Sequence, residues 1–325
     1  MELLIQHEKW PIRGTFAISR GTKTEAEVIV VTLRDGEFQG RGECVPYARY
    51  GENIENIKQK INSVSAEVEQ GLTREKLQQL LPAGAARNAL DCALWDLEAK
   101  RSGKTIWDLV GIAPQAKPTM FTISLDAPEK MAERAAQASK EYSLLKIKLG
   151  GEEDAERLQK IREAAPKARL IVDANEGWAS ENFETMIRAC ESVGVELIEQ
   201  PLPAKDDAML EGIKTPIKIC ADESVHTNTD IPKLVGRYSA MNIKLDKAGG
   251  LTEALAMARE AKEAGLAIMV GCHVSTSLSM APATVLAQYA DYIDLDGPLL
   301  LGKDREPGIE YCEGMILPTT PELWG

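Results

Sequence analysis

The sequence predicts an α/β fold, a (β/α)8-type TIM barrel preceded by an α+β capping domain. From Leu145 to Pro298, short apolar runs alternate with helical patterns, and the runs end in charged or polar residues. The charged residues that end successive runs lie about 22 to 26 residues apart. This is the length of one strand, one helix and two loops. The 325 residues also exceed a bare barrel of roughly 250 residues, which leaves room for a second small domain.

Residues 1–117 form the predicted capping domain. Its first part is strand-like, and a β-branched run ends at Asp35-Gly36, which is a hairpin signal. From about 53 to 100 the apolar residues recur at helical spacing. The last residues, about 300–325, are rich in Pro and Gly and exceed what a barrel needs. We therefore expect them to return to the capping domain and complete it.

Residues 118–299 form the predicted barrel domain. Apolar runs that alternate with helices call for a parallel sheet with right-handed crossovers, and eight such units close into a barrel. The strand candidates are 118–124, 143–149, 169–173, 195–200, 217–222, 239–245, 266–272 and 292–295.

Composition narrows the classes of function. The formal net charge of −12 argues against nucleic acid or an anionic membrane surface as a partner. Six cysteines without metal-ligand spacing, mostly in apolar runs, indicate buried reduced thiols. The N-terminus lacks a signal-peptide pattern, and no run of 18 apolar residues occurs. We expect a cytoplasmic protein with a small-molecule substrate, and its assembly into a homo-oligomer is left open.

Three carboxylates, Asp173, Glu199 and Asp222, end three successive strand candidates. In a barrel these ends meet on one face, where active sites form. Three adjacent anions repel one another, and a divalent cation removes that repulsion. Hard oxygen ligands without a histidine in the pattern favour Mg²⁺ over Zn²⁺. The alternative is that each carboxylate only pairs with a surface lysine.

Two lysines flank this triad, Lys148 on the preceding strand and Lys244 on the following one. Amines on opposite sides of one metal can face a substrate carbon from two sides. A base needs its lysine pKa lowered from about 10.4, and nearby cations lower it. Lys146 lies on the same strand face as Lys148 and, with Mg²⁺, supplies such a cation. The alternative for any of these lysines is a solvated surface charge.

Asp294 and Asp296 lie two residues apart on the last strand, so they share a face and suit a cationic group such as an α-ammonium. An acidic turn before Gly297 is the alternative. His226 and His273 are weak signals, each more typical of a satisfied polar residue than of a base. His273, just past the seventh strand, is the better placed to line the site.

Six ordered motifs closely resemble the muconate-lactonising branch of the enolase superfamily, and within it the dipeptide epimerases, whose best-known members act on L-Ala-D/L-Glu. The match covers almost the whole chain, including "GECVPYARYGE" and "LPAGAARNALDCALWDL" in the first domain. The six motifs are "LKIKLG", "VDANEGW", "EQPLP", "ADES", "NIKLDKAGG" and "DLDGP".

The resemblance implies a role for each candidate residue. The triad binds Mg²⁺, the two flanking lysines are the acid/base catalysts, and the aspartate pair binds the dipeptide's ammonium group. The loop around residues 20–24 closes over the site and reads the substrate side chain. Two positions depart from the family pattern: Lys23 replaces an expected arginine, and "GCHVSTS" replaces a version with methionine. The residues assigned to substrate binding are Lys23, Thr122, Lys146, Asp294 and Asp296.

The resulting hypothesis is an isomerase that inverts the α-carbon of a dipeptide's C-terminal residue through a Mg-stabilised enediolate. One lysine removes the α-proton, and the other returns a proton to the opposite face. The resemblance also suggests a role in peptidoglycan recycling. The alternatives are a cycloisomerase or an o-succinylbenzoate synthase-type lyase on the same scaffold, whose substrates lack an ammonium group, and a binding protein that kept the fold.

Overall fold

In the computed structural model, which describes residues 1–151 and 153–325, the chain begins with a three-stranded antiparallel sheet. Its second and third strands are joined at Asp35-Gly36, so the predicted hairpin is confirmed. The strands are β1 (Glu2–Ile18), β2 (Gly21–Asp35) and β3 (Phe38–Cys44). The helices after them are α1 (Ile54–Asn62), α2 (Ser65–Glu69), α3 (Arg74–Leu80), α4 (Ala85–Ser102) and α5 (Ile106–Val110).

Strand β2 lies between two hydrophobic cores. Ile29, Val31 and Leu33 pack in the cluster that contains α4 and the other capping helices. Val28 and Val30 belong to the cluster that continues into the barrel. Because successive side chains of a strand point to opposite faces, a strand with two buried faces needs a continuous apolar run. The run from 28 to 31 meets this need.

The close packing of β3 on α4 depends on two glycines. A Cβ at Gly42 would lie 2.1 Å from the carbonyl oxygen of Ala89, and one at Gly40 would lie 2.2 Å from that of Ala93. We expect Gly42→Ala to lower the free energy of unfolding by about 3 kcal/mol or more, because backbone must move. Gly36→Ala is the control, since Gly36 has open space and a φ of +60°. It should lose about 1 kcal/mol. Equal losses in urea unfolding would contradict this account.

The barrel consists of eight parallel strands that stand in the sheet in their chain order. All eight predicted strand candidates form strands, most of them shorter than predicted. The backbone N–H of Met120 donates to the carbonyl oxygen of Ile293 at 2.9 Å, which brings the first and last strands together. After β4 (Lys117–Pro118) the barrel strands are β5 (Phe121–Ile123), β6 (Leu144–Lys148), β7 (Arg169–Asp173), β8 (Val195–Glu199), β9 (Lys218–Ala221), β10 (Ala240–Ile243), β11 (Ala267–Gly271) and β12 (Tyr292–Asp294).

The helices of the barrel are less regular than the strands. A single 3-10 turn follows β8 at 207–210, and another follows β12 at 297–300. After the second turn the chain leaves the barrel and bridges to β1, where Leu301 pairs with Ile12. The helices are α6 (Pro128–Ala138), α7 (Asp154–Ala164), α8 (Phe183–Ser192), α9 (Ile231–Leu234), α10 (Leu245–Ala248), α11 (Leu251–Glu263) and α12 (Ser277–Leu286).

The C-terminal segment packs on the first part of the chain. Strands β13 (Tyr311–Cys312) and β14 (Met315–Ile316) extend the sheet of β4. Further on, the Trp324 indole N–H donates to the Cys92 carbonyl oxygen at 3.0 Å, and the Ile106 N–H donates to that of Gly325 at 2.7 Å. The chain end thus contacts α4 and α5. The domain limits of 1–117 and 118–299 stay predictions.

All six cysteines are free thiols, and four of them are buried. The expected burial is wrong for Cys312, which lies exposed at the end of β13. Within the described parts of the chain, every helix is too short or too polar to span a bilayer.

Candidate active site

The capping domain covers the carboxyl ends of the barrel strands and encloses a cavity of about 510 Å³. Its walls come from these strand ends, from the hairpin of β1 and β2, and from the loop after β3. Two predicted residues, Asp173 and Glu199, are fully buried beside it and contact Lys146. The structure therefore brings all ten predicted residues together. The eight that line the cavity are Lys23, Thr122, Lys146, Lys148, Asp222, Lys244, Asp294 and Asp296.

The three predicted metal ligands follow three neighbouring strands. Asp173 on β7 stands opposite Glu199 on β8, and Glu199 stands opposite Cys220, two residues before Asp222. The three side chains are at most 2% exposed. Every oxygen they offer belongs to a carboxylate, and this donor set fits Mg²⁺.

The two flanking lysines approach the carboxylates from opposite sides. Lys148 Nζ lies 2.6 Å from Asp173 Oδ2, and Lys244 Nζ lies 2.7 Å from Asp222 Oδ2. The lysines end β6 and follow β10, whereas the acids belong to the three strands between them. The sheet order therefore places one amine on each flank of the acidic group.

Lys146 lies in the middle of the acidic group. Its Nζ is 2.6 Å from Glu199 Oε2, 2.6 Å from Asp294 Oδ2 and 3.2 Å from Asp173 Oδ2. With ammonium groups placed between the acids, no group of three His, Cys, Asp or Glu residues in 1–151 and 153–325 is arranged as a ready metal site. The lysines serve as the counterions of these carboxylates.

The pKa values reflect this pairing. Burial acts to lower the pKa of Lys244, but Asp222 and Glu199 outweigh it and hold that pKa well above its usual value. Burial raises the pKa of Glu199, and the neighbouring Asp173 raises it further. A general base must be a neutral amine. For Lys244 to act as such a base, a competing cation at these carboxylates must first lower its pKa.

Asp294 and Asp296 form a second acidic group in the cavity. The backbone N–H of Thr122 donates to Asp296 Oδ2 at 2.6 Å, and Lys146 pairs with Asp294 Oδ2. Asp294 Oδ1 is buried and has no hydrogen-bond partner among the described residues. A buried acceptor without a partner beside a cavity suits a ligand with N–H donors and positive charge.

Because of the aspartate pair, we expect kcat/KM to depend on pH. Burial raises the pKa of Asp296 to about 7, and the charge of Asp294 contributes to the rise. The carboxyl is therefore neutral below this pH and attracts a cation only above it. For a substrate with an ammonium group, kcat/KM should fall about tenfold per pH unit below about pH 7. Asp296→Asn should remove the contribution of Asp296, so that the remaining acid limb reports only the lysine that must be a neutral amine, and an acid limb identical to that of the wild type would contradict the assignment.

Comparison with the profiles of known protein families assigns the chain to a superfamily. The profile of the mandelate racemase / muconate lactonizing enzyme N-terminal domain matches residues 1–111. The profile described as enolase C-terminal domain-like matches residues 130–321. The chain belongs to the enolase superfamily. More narrowly it belongs to the mandelate racemase/muconate lactonizing enzyme family, so the resemblance found in the motifs is confirmed.

Two relatives with an established activity match nearly the whole chain. One is the L-Ala-D/L-Glu epimerase of Escherichia coli (strain K12), which is 48% identical over 95% of this chain and 97% of its own length. The other is the N-acetyl-D-glutamate racemase of a Pseudoalteromonas species, which is 45% identical over 92% of this chain and 95% of its own length. Both relatives are isomerases that act on a glutamate derivative.

Solved enolase-superfamily structures share the whole fold. An enolase family member from Agrobacterium tumefaciens with homology to dipeptide epimerases, which holds sodium and L-Ala-L-Glu, is 52% identical, with a TM-score of 0.98 and 99% of both chains covered. A dipeptide epimerase from Enterococcus faecalis V583 in complex with Mg and L-Leu-L-Tyr is 28% identical, with a TM-score of 0.91. The match covers 98% of this chain and 96% of that one.

In this enolase-superfamily member, three side chains that lie within the quoted motifs but were assigned no role hold the acids. Asn242 Nδ2 donates to Glu199 Oε1 at 2.7 Å, and Lys247 Nζ lies 2.6 Å from Asp222 Oδ1. Gln200 Oε1 accepts the backbone N–H of Asp222 at 2.8 Å. A sequence signal existed for Asn242, since it lies two residues before Lys244 and so shares its strand face.

The two residues at which the chain departs from the family pattern, Lys23 and His273, both lie beside Tyr47. Lys23 Nζ lies 5.7 Å from the ring centroid of Tyr47, and the His273 ring stacks on Tyr47 at 4.4 Å. His273 lines the cavity, and its Nδ1 lies 3.0 Å from Asp246 Oδ2. Burial lowers the pKa of His273, although Asp246 opposes this. His226 does not line the cavity and packs edge-on against Tyr50.

Proposed function

We propose that this protein is a dipeptide epimerase, an isomerase that inverts the α-carbon of the C-terminal residue of a small dipeptide, with L-Ala-D/L-Glu as its substrate. The observation that carries the proposal is the pairing of two opposed lysines with a separate acidic pair in one cavity. The opposed lysines suit proton transfer on two faces of one carbon. The acidic pair suits the ammonium group of a free dipeptide.

Asp173, Glu199 and Asp222 would hold Mg²⁺. Their side chains are at most 2% exposed and offer only carboxylate oxygens, which are the donors that Mg²⁺ prefers. When bound, Mg²⁺ supplies positive charge that stabilises the negative charge developing on the substrate carboxylate.

The chain's own residues account for the rest of the reaction. One flanking lysine, as the neutral amine, takes the α-proton and leaves its electron pair on the substrate. The lysine on the other flank, as the ammonium, delivers a proton to the opposite face of the same carbon. One proton is taken and one is returned, so the overall reaction is redox-neutral and only the configuration changes. Lys146 contributes fixed positive charge near the reacting group.

The nearest alternatives differ at the acidic pair. Cycloisomerase and o-succinylbenzoate synthase substrates lack an ammonium group, as does an N-acetylated glutamate. With such a ligand, Asp294 Oδ1 would remain buried without a partner, which costs about 1 to 3 kcal/mol. We therefore expect the free dipeptide to be preferred over N-acetyl-glutamate.

The setting of the enzyme is also part of the proposal. We place it in the cytoplasm, where its six free thiols suit a reducing compartment. We further propose that it acts on dipeptides released from peptidoglycan. Subcellular fractionation tests the first point, since recovery in a periplasmic or membrane fraction would contradict it.

The activity is tested by proton NMR of L-Ala-L-Glu in D₂O with enzyme and Mg²⁺. The glutamate α-proton signal should disappear while signals of the D-Glu dipeptide grow. N-acetyl-L-glutamate, run in parallel, should react at least about tenfold more slowly, as expected from the unpaired acid. Failure to exchange with any member of a dipeptide library would overturn the proposal.

A further inference from the structure

The loop between β1 and β2 is fastened to the barrel through one arginine at its tip. The Arg20 guanidinium donates to the carbonyl oxygen of Asn175 at 2.7 Å and to Glu223 Oε1 at 2.6 Å. It also donates to Glu176 Oε2 at 3.3 Å and to the Tyr47 hydroxyl at 3.1 Å. These partners follow β7, β9 and β3, so one side chain joins three separate loops.

The residue before it is seated just as closely. The Ser19 hydroxyl donates to the same Asn175 carbonyl oxygen at 3.0 Å. A Cβ at Gly150 would lie 2.5 Å from Ser19 Cβ, and one at Gly177 would lie 3.4 Å from it. The barrel loops after β6 and β7 therefore leave a space that the tip of the β1–β2 loop fills.

Of the groups that Arg20 contacts, the Glu223 carboxylate depends most on it for neutralisation of its charge. Its side chain is 1% exposed and follows Asp222 directly in the chain. Arg20 neutralises one of its oxygens, and the other, Oε2, has no hydrogen-bond partner among the described residues. Removal of Arg20 would leave a buried carboxylate without a counterion beside another acid, which is strongly unfavourable.

We propose that Arg20 is a positioning residue that latches the β1–β2 loop shut over the cavity by pairing with Glu223. The latch sets the first residues of β2, Gly21 to Lys23, in the cavity wall. It thereby holds Lys23, the proposed reader of the substrate side chain, at the ring of Tyr47. The inference deepens the proposed function, and its kinetic test rests on that function.

Kinetics test the latch through a double-mutant cycle. Arg20→Gln and Glu223→Gln should each raise KM for L-Ala-L-Glu at least about tenfold while kcat stays within about threefold. The double variant should be no worse than the more affected single one, because each change breaks the same pair. Arg20→Lys should recover part of the loss, since it keeps the charge but not the fork of donors.

Arg13→Gln is the matched control. Arg13 lies exposed on the same hairpin and forms no ion pair among the described residues. Its KM should remain within about twofold of the wild-type value, as is usual for a surface change. Additive effects of Arg20→Gln and Glu223→Gln, a fall of kcat at constant KM, or an equal effect of Arg13→Gln would each overturn the latch.

Limited proteolysis tests the latch without any substrate. Trypsin should cleave the Lys23–Thr24 bond at least about tenfold faster in Arg20→Gln and in Glu223→Gln than in the wild type, because the loop opens more often. Cleavage in Arg13→Gln should match the wild type. Equal cleavage in all four proteins would overturn the latch. If no dipeptide were turned over, the proposed function would fail. The proteolysis experiment would still test the latch, because it needs no substrate.

Discussion

Replacing Lys148 or Lys244 by alanine is expected to lower the rate of epimerisation about 10²- to 10⁴-fold. Both amines are buried, and they approach the acidic group from opposite flanks. Inversion needs a proton acceptor on one face of the α-carbon and a donor on the other, so the loss of either lysine slows it strongly. Proton NMR of the product diastereomer measures the rate.

Hydrogen exchange in D₂O distinguishes two opposed bases from a single base with a structural neighbour. Each alanine variant keeps one lysine, so it should still exchange the α-proton of the diastereomer that faces this lysine. The two variants should therefore retain exchange with opposite diastereomers. Lys233→Ala, whose side chain is 75% exposed, controls for loss of a positive charge. Retained inversion in either variant, or retention of the same diastereomer by both, would contradict the assignment.

Glu199→Gln is expected to lower the affinity for Mg²⁺ at least about 100-fold. Glu199 is fully buried between the other two acids, and burial together with Asp173 raises its pKa. A cation bound among the three acids would relieve their repulsion, and the neutral amide removes one charge from the centre of the donor set. Calorimetric titration of Mg²⁺ into the substrate-free protein measures the affinity independently of activity.

Glu196→Gln is the matched control for this change. Glu196 lies on the same strand, but it pairs with Arg169 at 2.6 Å and its side chain is 35% exposed. Its loss should leave the Mg²⁺ affinity within about twofold of the wild type. The same loss in both variants, or unchanged affinity in Glu199→Gln, would show that the metal is held elsewhere. Chelation should also abolish wild-type activity, and added Mg²⁺ should restore it.

The barrel strands and the face that carries the candidate site were predictable because both follow from local sequence patterns, namely apolar runs and the charged residues that end them. A buried parallel strand needs a short apolar run, and its carboxyl end meets the same face as the ends of its neighbours. Charged residues such as Asp173 and Asp222 at regular distances therefore indicated both the strands and their common face. The roles of these residues followed from resemblance and donor chemistry, and they await the experiments above.

The helices were less predictable than the strands. The 3-10 turn at 207–210, in the place of a full helix after β8, has no distinct local signal, whereas the departure of the chain after β12 was expected from its Pro and Gly content. A turn and a full helix can connect two strands equally well if the outer surface is covered by other parts of the chain. Here the chain after β12 bridges to β1, and this contact depends on the docking of the capping domain.

By itself, the sequence determined the strand order and which acids and lysines follow the strands on one face of the barrel. The tertiary structure alone decided which charge neutralises which. The pairing of Arg20 with Glu223 spans 203 residues, and that of Lys146 with Asp294 spans 148. Such pairs have no spacing rule, because barrel closure and the docking of the capping domain set their distances. The physical reason is that apolar periodicity acts over a few residues, whereas a buried charge is satisfied by whatever the fold brings beside it.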